Sequence, residues 1–128
     1  MLRMLLLLFL AAPLSAAAYD PERARDNLAH EAAECSAYFM LVSALPGVDG
    51  ETSNKSREVF GELLKFSVAL SNEKITKARF ELAQKGMFLE LDGKGSNISI
   101  VSNKYGYPCA NLAKDPETRL RYWLEKKD

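Results

Sequence analysis

Apolar residues recur along the chain at the three- and four-residue spacing of an amphipathic helix. In the first such segment the apolar positions are Leu28, Ala32, Cys35, Phe39 and Val42. This spacing puts all of them on one helical face. Asp20 and Pro21 precede the segment as a typical helix start, and Pro46-Gly47 follows it as a typical stop. The sequence therefore predicts a first helix from about Pro21 to Leu45.

Two more helical segments follow a polar stretch rich in turn-forming residues. The second helix is predicted from near Ser53 to about Leu70, with a broad apolar face. The third is predicted from Glu73 to about Leu91, after a break at Ser71-Asn72. The third helix carries two sets of apolar residues. One face holds Ile75, Ala78, Leu82 and Leu89, and another holds Phe80, Ala83 and Met87.

The stretch 96–112 is compatible with either a strand or a helix. Ile98 and Ile100 alternate as in a strand, but no second strand candidate lies nearby to pair with them. We therefore predict a helix from Asn97 to about Tyr105, which Gly106-Tyr107-Pro108 should kink or end. A last helix should begin at Asp115-Pro116. The predicted fold class is all-α, a small bundle of four to five helices.

The first eighteen residues have the pattern of a cleavable signal peptide. Met1-Leu2-Arg3 carries a positive charge, an apolar run follows, and small residues end the segment at Ser15–Ala18. A membrane anchor is the alternative, but it needs about 20 apolar residues, and Pro13 interrupts this shorter run. We predict a signal peptide over 1–18, a single helical domain over 19–128, and export to the periplasm or the extracellular space without a stable membrane anchor.

The charge balance argues against polyanionic partners. The chain has 17 Lys and Arg residues and 17 Asp and Glu residues, and no basic block. Removal of Arg3 with the signal peptide leaves a slight negative excess. Such a chain has no positive electrostatic field to attract nucleic acid or anionic lipid, so we expect neither as a partner.

The chain has two cysteines, Cys35 on the first helix and Cys109 near the C-terminus. An exported domain is an oxidising context, and two cysteines allow one intramolecular pairing. We predict a Cys35–Cys109 disulfide that joins the first helix to the C-terminal region. The alternative is a pair of buried thiols. A redox role has no C-x-x-C motif to support it.

Neither a catalytic constellation nor a cofactor motif is visible, and we expect no enzymatic activity, no cofactor and no metal. Asp26, His30 and Glu34 lie four residues apart on one helix. They could hold a metal weakly or form a pH-sensitive salt bridge, or they are a solvated polar face. Two other functions stay open from the sequence. One is a periplasmic stress chaperone that exposes apolar surface in acid, and the other is a small hydrolase whose carboxylates converge only in the fold.

An aromatic bias in the C-terminal third suggests where a partner could bind. The residues are Tyr105, Tyr107, Tyr122 and Trp123. They fit a core with an amphipathic rim, or an exposed binding patch, since Tyr and Trp combine apolar area with a polar tip. The leading hypothesis is an exported, non-enzymatic protein that binds another extracytoplasmic protein or a small ligand through this region.

Overall fold

Five α-helices make up most of residues 20–127, the part of the chain that the structure, a computed structural model, describes. In chain order they are α1 (Pro21–Ala44), α2 (Gly50–Leu70), α3 (Glu73–Leu91), α4 (Ile98–Lys114) and α5 (Pro116–Glu125). The predicted all-α bundle is confirmed for these residues. The signal peptide predicted over 1–18 lies outside them. None of the helices described is long and apolar enough to span a membrane.

Polar side chains fix where four of these helices begin. Asp20, Asp49, Asn72 and Asp115 each accept the backbone N–H three residues later, at 2.8 to 3.1 Å. These bonds satisfy donors that a helix leaves unpaired in its first turn. The predicted start of α2 near Ser53 was wrong, because Asp49 caps the helix and α2 therefore begins at Gly50. The predicted starts at Asp20-Pro21 and Asp115-Pro116 are confirmed.

The helix α1 is central and packs against each of the other four α-helices. Its buried residues include five alanines: Ala24, Ala29, Ala32, Ala33 and Ala37. Small side chains let neighbouring helices approach closely. Larger side chains from α1, α3 and α4, namely Leu28, Met87 and Val101, fill the space between the helices and are almost completely buried. The core is therefore built around one alanine-rich helix.

Buried hydroxyl groups join α1, α2 and α3 at one end of the core. Ser67 Oγ of α2 donates to the Ala29 carbonyl of α1 at 2.8 Å. The same oxygen lies 3.1 Å from Thr76 Oγ1 of α3, which lies 3.2 Å from Ser71 Oγ. Ser67 and Thr76 are buried, and a buried hydroxyl without a partner is costly. This cluster, which we call the hydroxyl cluster, satisfies each of its members.

Gly106-Tyr107-Pro108 was predicted to kink or end the helix that begins near Asn97. The helix α4 continues to Lys114, so the predicted end at about Tyr105 was wrong. Pro108 removes one backbone donor, which usually disrupts a helix. Here Val101, Cys109 and Leu112 bury one face of α4 on both sides of the proline. Close packing explains the glycine at position 106, because a Cβ there would lie 3.2 Å from Tyr38 Oη.

The predicted disulfide is confirmed. Cys35 of α1 and Cys109 of α4 are bonded, with their Cα atoms 5.2 Å apart and a sequence separation of 74 residues. Both residues are buried in the core cluster. The bond fixes α4 beside the middle of α1, and this placement creates the groove described next.

Candidate binding groove

An open groove of about 870 Å³ runs between α1, α4 and α5, next to the disulfide. Both cysteines line it, together with Tyr105 and Tyr107 of α4 and Tyr122 of α5. We call it the tyrosine groove after these three side chains. Ligand sites in proteins are commonly about 300–1,000 Å³, so the groove is large enough to hold a ligand or a short peptide segment.

Three of the four aromatic residues singled out in the sequence therefore meet at one place. Tyr107 is 79% exposed and Tyr122 is 44% exposed, whereas Tyr105 is half-buried and stacks on Tyr38 with ring centroids 6.3 Å apart. Trp123 does not line the groove. It lies edge-on to Tyr122, with ring centroids 5.1 Å apart, so it supports a wall of the groove.

A charged cluster holds α5 against α1 at one side of the groove. Arg119 Nε donates to Glu31 Oε2 at 2.7 Å, and Nη2 donates to the other oxygen of the same carboxylate. Trp123 Nε1 donates to Glu31 Oε1 at 3.1 Å. The guanidinium carbon also lies 4.1 Å from the centroid of the Tyr122 ring. Hydrogen bonding to Glu31 raises the pKa of Arg119 above its ordinary value.

The sequence reasoning missed Glu31 and Arg119. A signal for Glu31 was present: it lies one turn before Cys35, so it shares the α1 face that the disulfide brings to the C-terminal region. No comparable signal identified Arg119 among the other basic residues of α5. Its partner depends on the angle at which α5 crosses α1, which local sequence does not specify.

A second ion pair includes Lys104, which also lines the groove. Lys104 Nζ donates to Glu90 Oε1 of α3 at 3.1 Å. Lys104 also lies 5.2 Å from the centroid of the Tyr105 ring. The hydrogen bond to Glu90 raises the pKa of Lys104. Lys104 therefore lies beside an aromatic wall with its charge paired to Glu90.

The carboxylates near the groove have structural partners. Asp115 accepts from both the backbone N–H and the hydroxyl of Thr118, and these hydrogen bonds lower its pKa. Glu34 lies 3.1 Å from His30 Nε2. Farther along α1, Asp26 binds Arg79 of α3 at 2.7 Å. The set suggested by the sequence as a weak metal site is therefore not assembled, and residues 20–127 contain no group of three or more possible metal-ligating side chains.

Comparison with known proteins gives no family for this chain. No protein-family model matches it, and no curated protein or solved structure is significantly similar to it. The case for a function therefore rests on the geometry of the groove.

Proposed function

We propose that this chain is an exported, non-enzymatic protein that binds a segment of another extracytoplasmic protein in the tyrosine groove. The observation that carries the proposal is the convergence of Tyr105, Tyr107 and Tyr122 around one open groove. Single exposed aromatic residues are ordinary on protein surfaces. Three tyrosines from two helices on one concave surface are typical of a recognition site, where aromatic anchors supply most of the binding energy.

A protein segment fits the groove better than a small ligand does. Small-molecule sites usually enclose about 70–90% of the ligand surface. The tyrosine groove is open along one side, and the rings of Tyr107 and Tyr122 are exposed to solvent. An apolar or aromatic side chain of a partner could lie between them.

The rigid surroundings of the groove also support a binding role. The disulfide fixes α4 to α1, and the Glu31 carboxylate fixes α5 to the same helix. A site whose walls are held in place loses less conformational entropy when a partner binds. The signal pattern predicts export, and a disulfide is compatible with it. An exported protein is in an oxidising compartment, where the Cys35–Cys109 disulfide persists.

Site-specific photo-cross-linking tests the proposal in the native compartment. A benzophenone amino acid replaces Tyr107 in one strain and the exposed Glu58 of α2, which does not line the groove, in a second. We expect a discrete adduct from position 107 that position 58 does not give. The cross-linked protein is then identified by mass spectrometry and purified.

Titration of the purified partner measures the contribution of the tyrosines. Trp123, the only tryptophan of the chain, reports binding by its fluorescence. Loss of an aromatic anchor costs about 2 kcal/mol, so we expect Tyr107→Ala and Tyr122→Ala each to weaken binding by at least about tenfold. Ile100→Ala, at an exposed apolar residue of α4 outside the groove, is the matched control and should bind normally. Equal affinity of all variants would contradict the proposal.

A further inference from the structure

A second open cleft, of about 470 Å³, lies between α1, α2 and the C-terminal half of α4. We call it the lysine cleft, because Lys55 of α2 and Lys114 of α4 line it. Its volume is within the range that is common for ligand sites. Of its lining residues, only Lys114 also lines the tyrosine groove, so the two sites are distinct. The apolar residues of the lysine cleft come from all three helices: Phe39, Val59, Ala110 and Ala113.

The charged residues that line the lysine cleft are both basic. Lys55 comes from α2 and Lys114 from the last turn of α4, and no acidic residue is among those described that line the cleft. Both side chains are exposed, and within residues 20–127 neither forms an ion pair. Lys104 and Arg119 of the tyrosine groove are instead each bound to a glutamate. Two unpaired ammonium groups beside one cleft favour an anion as its occupant.

A hydroxyl group in the same cleft has no hydrogen-bond partner. Ser56 of α2 lines the cleft and is only 7% exposed. One turn earlier the Thr52 hydroxyl donates to Asp49 Oδ2 at 2.8 Å, whereas the Ser56 hydroxyl makes no hydrogen bond to any described residue. Its oxygen is not sealed inside the fold, since Glu90 Oε2 is the one enclosed side-chain oxygen or nitrogen without a partner in residues 20–127. Ser56 therefore offers a free donor within the cleft.

We infer that the lysine cleft binds a small carboxylic acid with an apolar body. The carboxylate lies between Lys55, Lys114 and the Ser56 hydroxyl, which donate to its two oxygens. The apolar body covers Phe39 and Val59 and is removed from water there. The charge of the acid, the free donor and the apolar walls are thus each matched by one part of the ligand.

The donors of the cleft suit a carboxylate better than a phosphate. Phosphate groups are commonly held by the planar fork of arginine or by free backbone N–H groups at a helix N-terminus. No arginine is among the residues that line the lysine cleft. At the start of α2 the N–H of Thr52 is already bound to the capping side chain of Asp49. Two ammonium groups and one hydroxyl are sufficient donors for the two oxygens of a carboxylate.

An NMR titration of the ¹⁵N-labelled protein with sodium octanoate at low ionic strength tests the site. We expect saturable shifts concentrated in residues 52–59 and 110–114. The alcohol 1-octanol has the same chain without the charge and should bind at least about tenfold more weakly, because it lacks the charge-assisted hydrogen bonds. Acetate has the charge without the chain and should bind about a hundredfold more weakly or less, because each methylene buried contributes to affinity.

Substitutions in the cleft test the role of each donor. Lys55→Gln, Lys114→Gln and Ser56→Ala should each weaken octanoate binding by about threefold or more. The matched control is Lys65→Gln, at an exposed lysine of α2 outside the cleft, which should bind octanoate as the original chain does. Lys55 does not line the tyrosine groove, so its effect separates the two sites. Circular dichroism should show the same helix content for all four variants.

Three results would overturn the inference. The first is the absence of saturable shifts with octanoate, or shifts confined to the tyrosine groove. The second is binding of 1-octanol as tight as that of octanoate, which would make the cleft a merely apolar surface. The third is equal octanoate affinity of Lys55→Gln, Lys114→Gln and Lys65→Gln, because the charge of the cleft would then not contribute to binding.

Discussion

Breaking the disulfide should cost the fold a large part of its stability. The bond joins residues separated by 74 positions, and the loop between them contains all of α2 and α3. The chain-entropy relation for a loop of this length gives about 4.5 kcal/mol, and loss of a native disulfide from a small domain commonly costs about 2–5 kcal/mol. A domain of this size is typically stable by about 5–15 kcal/mol, so the reduced protein should be marginal.

Urea unfolding followed by circular dichroism measures this cost. If the free energy of unfolding falls by about 2 kcal/mol per molar urea, reduction should lower the midpoint by about 2 M. A reduced protein that is already unfolded without urea agrees with the same expectation. The variant C35A/C109A is the control for effects of the reductant and should behave as the reduced chain does. A loss below about 1 kcal/mol would refute the argument, because it would mean that the loop gains little freedom when the bond is cut.

Two further substitutions test the walls of the groove. Glu31→Ala removes the acceptor shared by Arg119 and Trp123. We expect the free energy of unfolding to fall by about 1–2 kcal/mol and the Trp123 emission to shift. An unchanged emission spectrum would show that the indole does not depend on its bond to Glu31. Asp115→Ala removes the cap of α5, whereas Asp115→Asn keeps a capping oxygen without the charge. Hydrogen bonds to Thr118 lower the pKa of Asp115 in the folded chain. The Asp115 charge therefore stabilises the folded chain above the unfolded pKa of about 3.9, and this stabilisation is lost as the pH falls through the lower folded pKa. The thermal midpoints of wild type and Asp115→Asn should accordingly converge only in acid.

Local signals predicted most of the helix boundaries, because a cap depends on residues a few positions apart. Asp20-Pro21 and Asp115-Pro116 identified two helix starts for this reason. The continuation of α4 through Pro108 depends instead on burial against α1 and on the disulfide to Cys35. A local disruption of the helix can be outweighed by tertiary contacts that periodicity does not reveal.

The candidate groove was predictable in composition but not in arrangement. The sequence indicated an aromatic C-terminal region, and three of its four residues line the groove. Trp123 lies behind the wall because its indole N–H binds Glu31, a residue far away in the chain. On α3, the sequence distinguished two apolar faces and could not say which would be buried. That choice depends on how α3 is rotated against α1.

The hydroxyl cluster has a consequence for the uniqueness of the fold. An apolar face can slide or rotate slightly against an alanine-rich helix and still bury a similar area. Ser67 does not tolerate such a shift, because its bond to the Ala29 carbonyl and its contact with Thr76 both depend on one rotational setting of α2 and α3. A slip by one residue would leave buried hydroxyls unpaired. Directional bonds thus select one alignment of three helices among several that hydrophobic contact alone would accept.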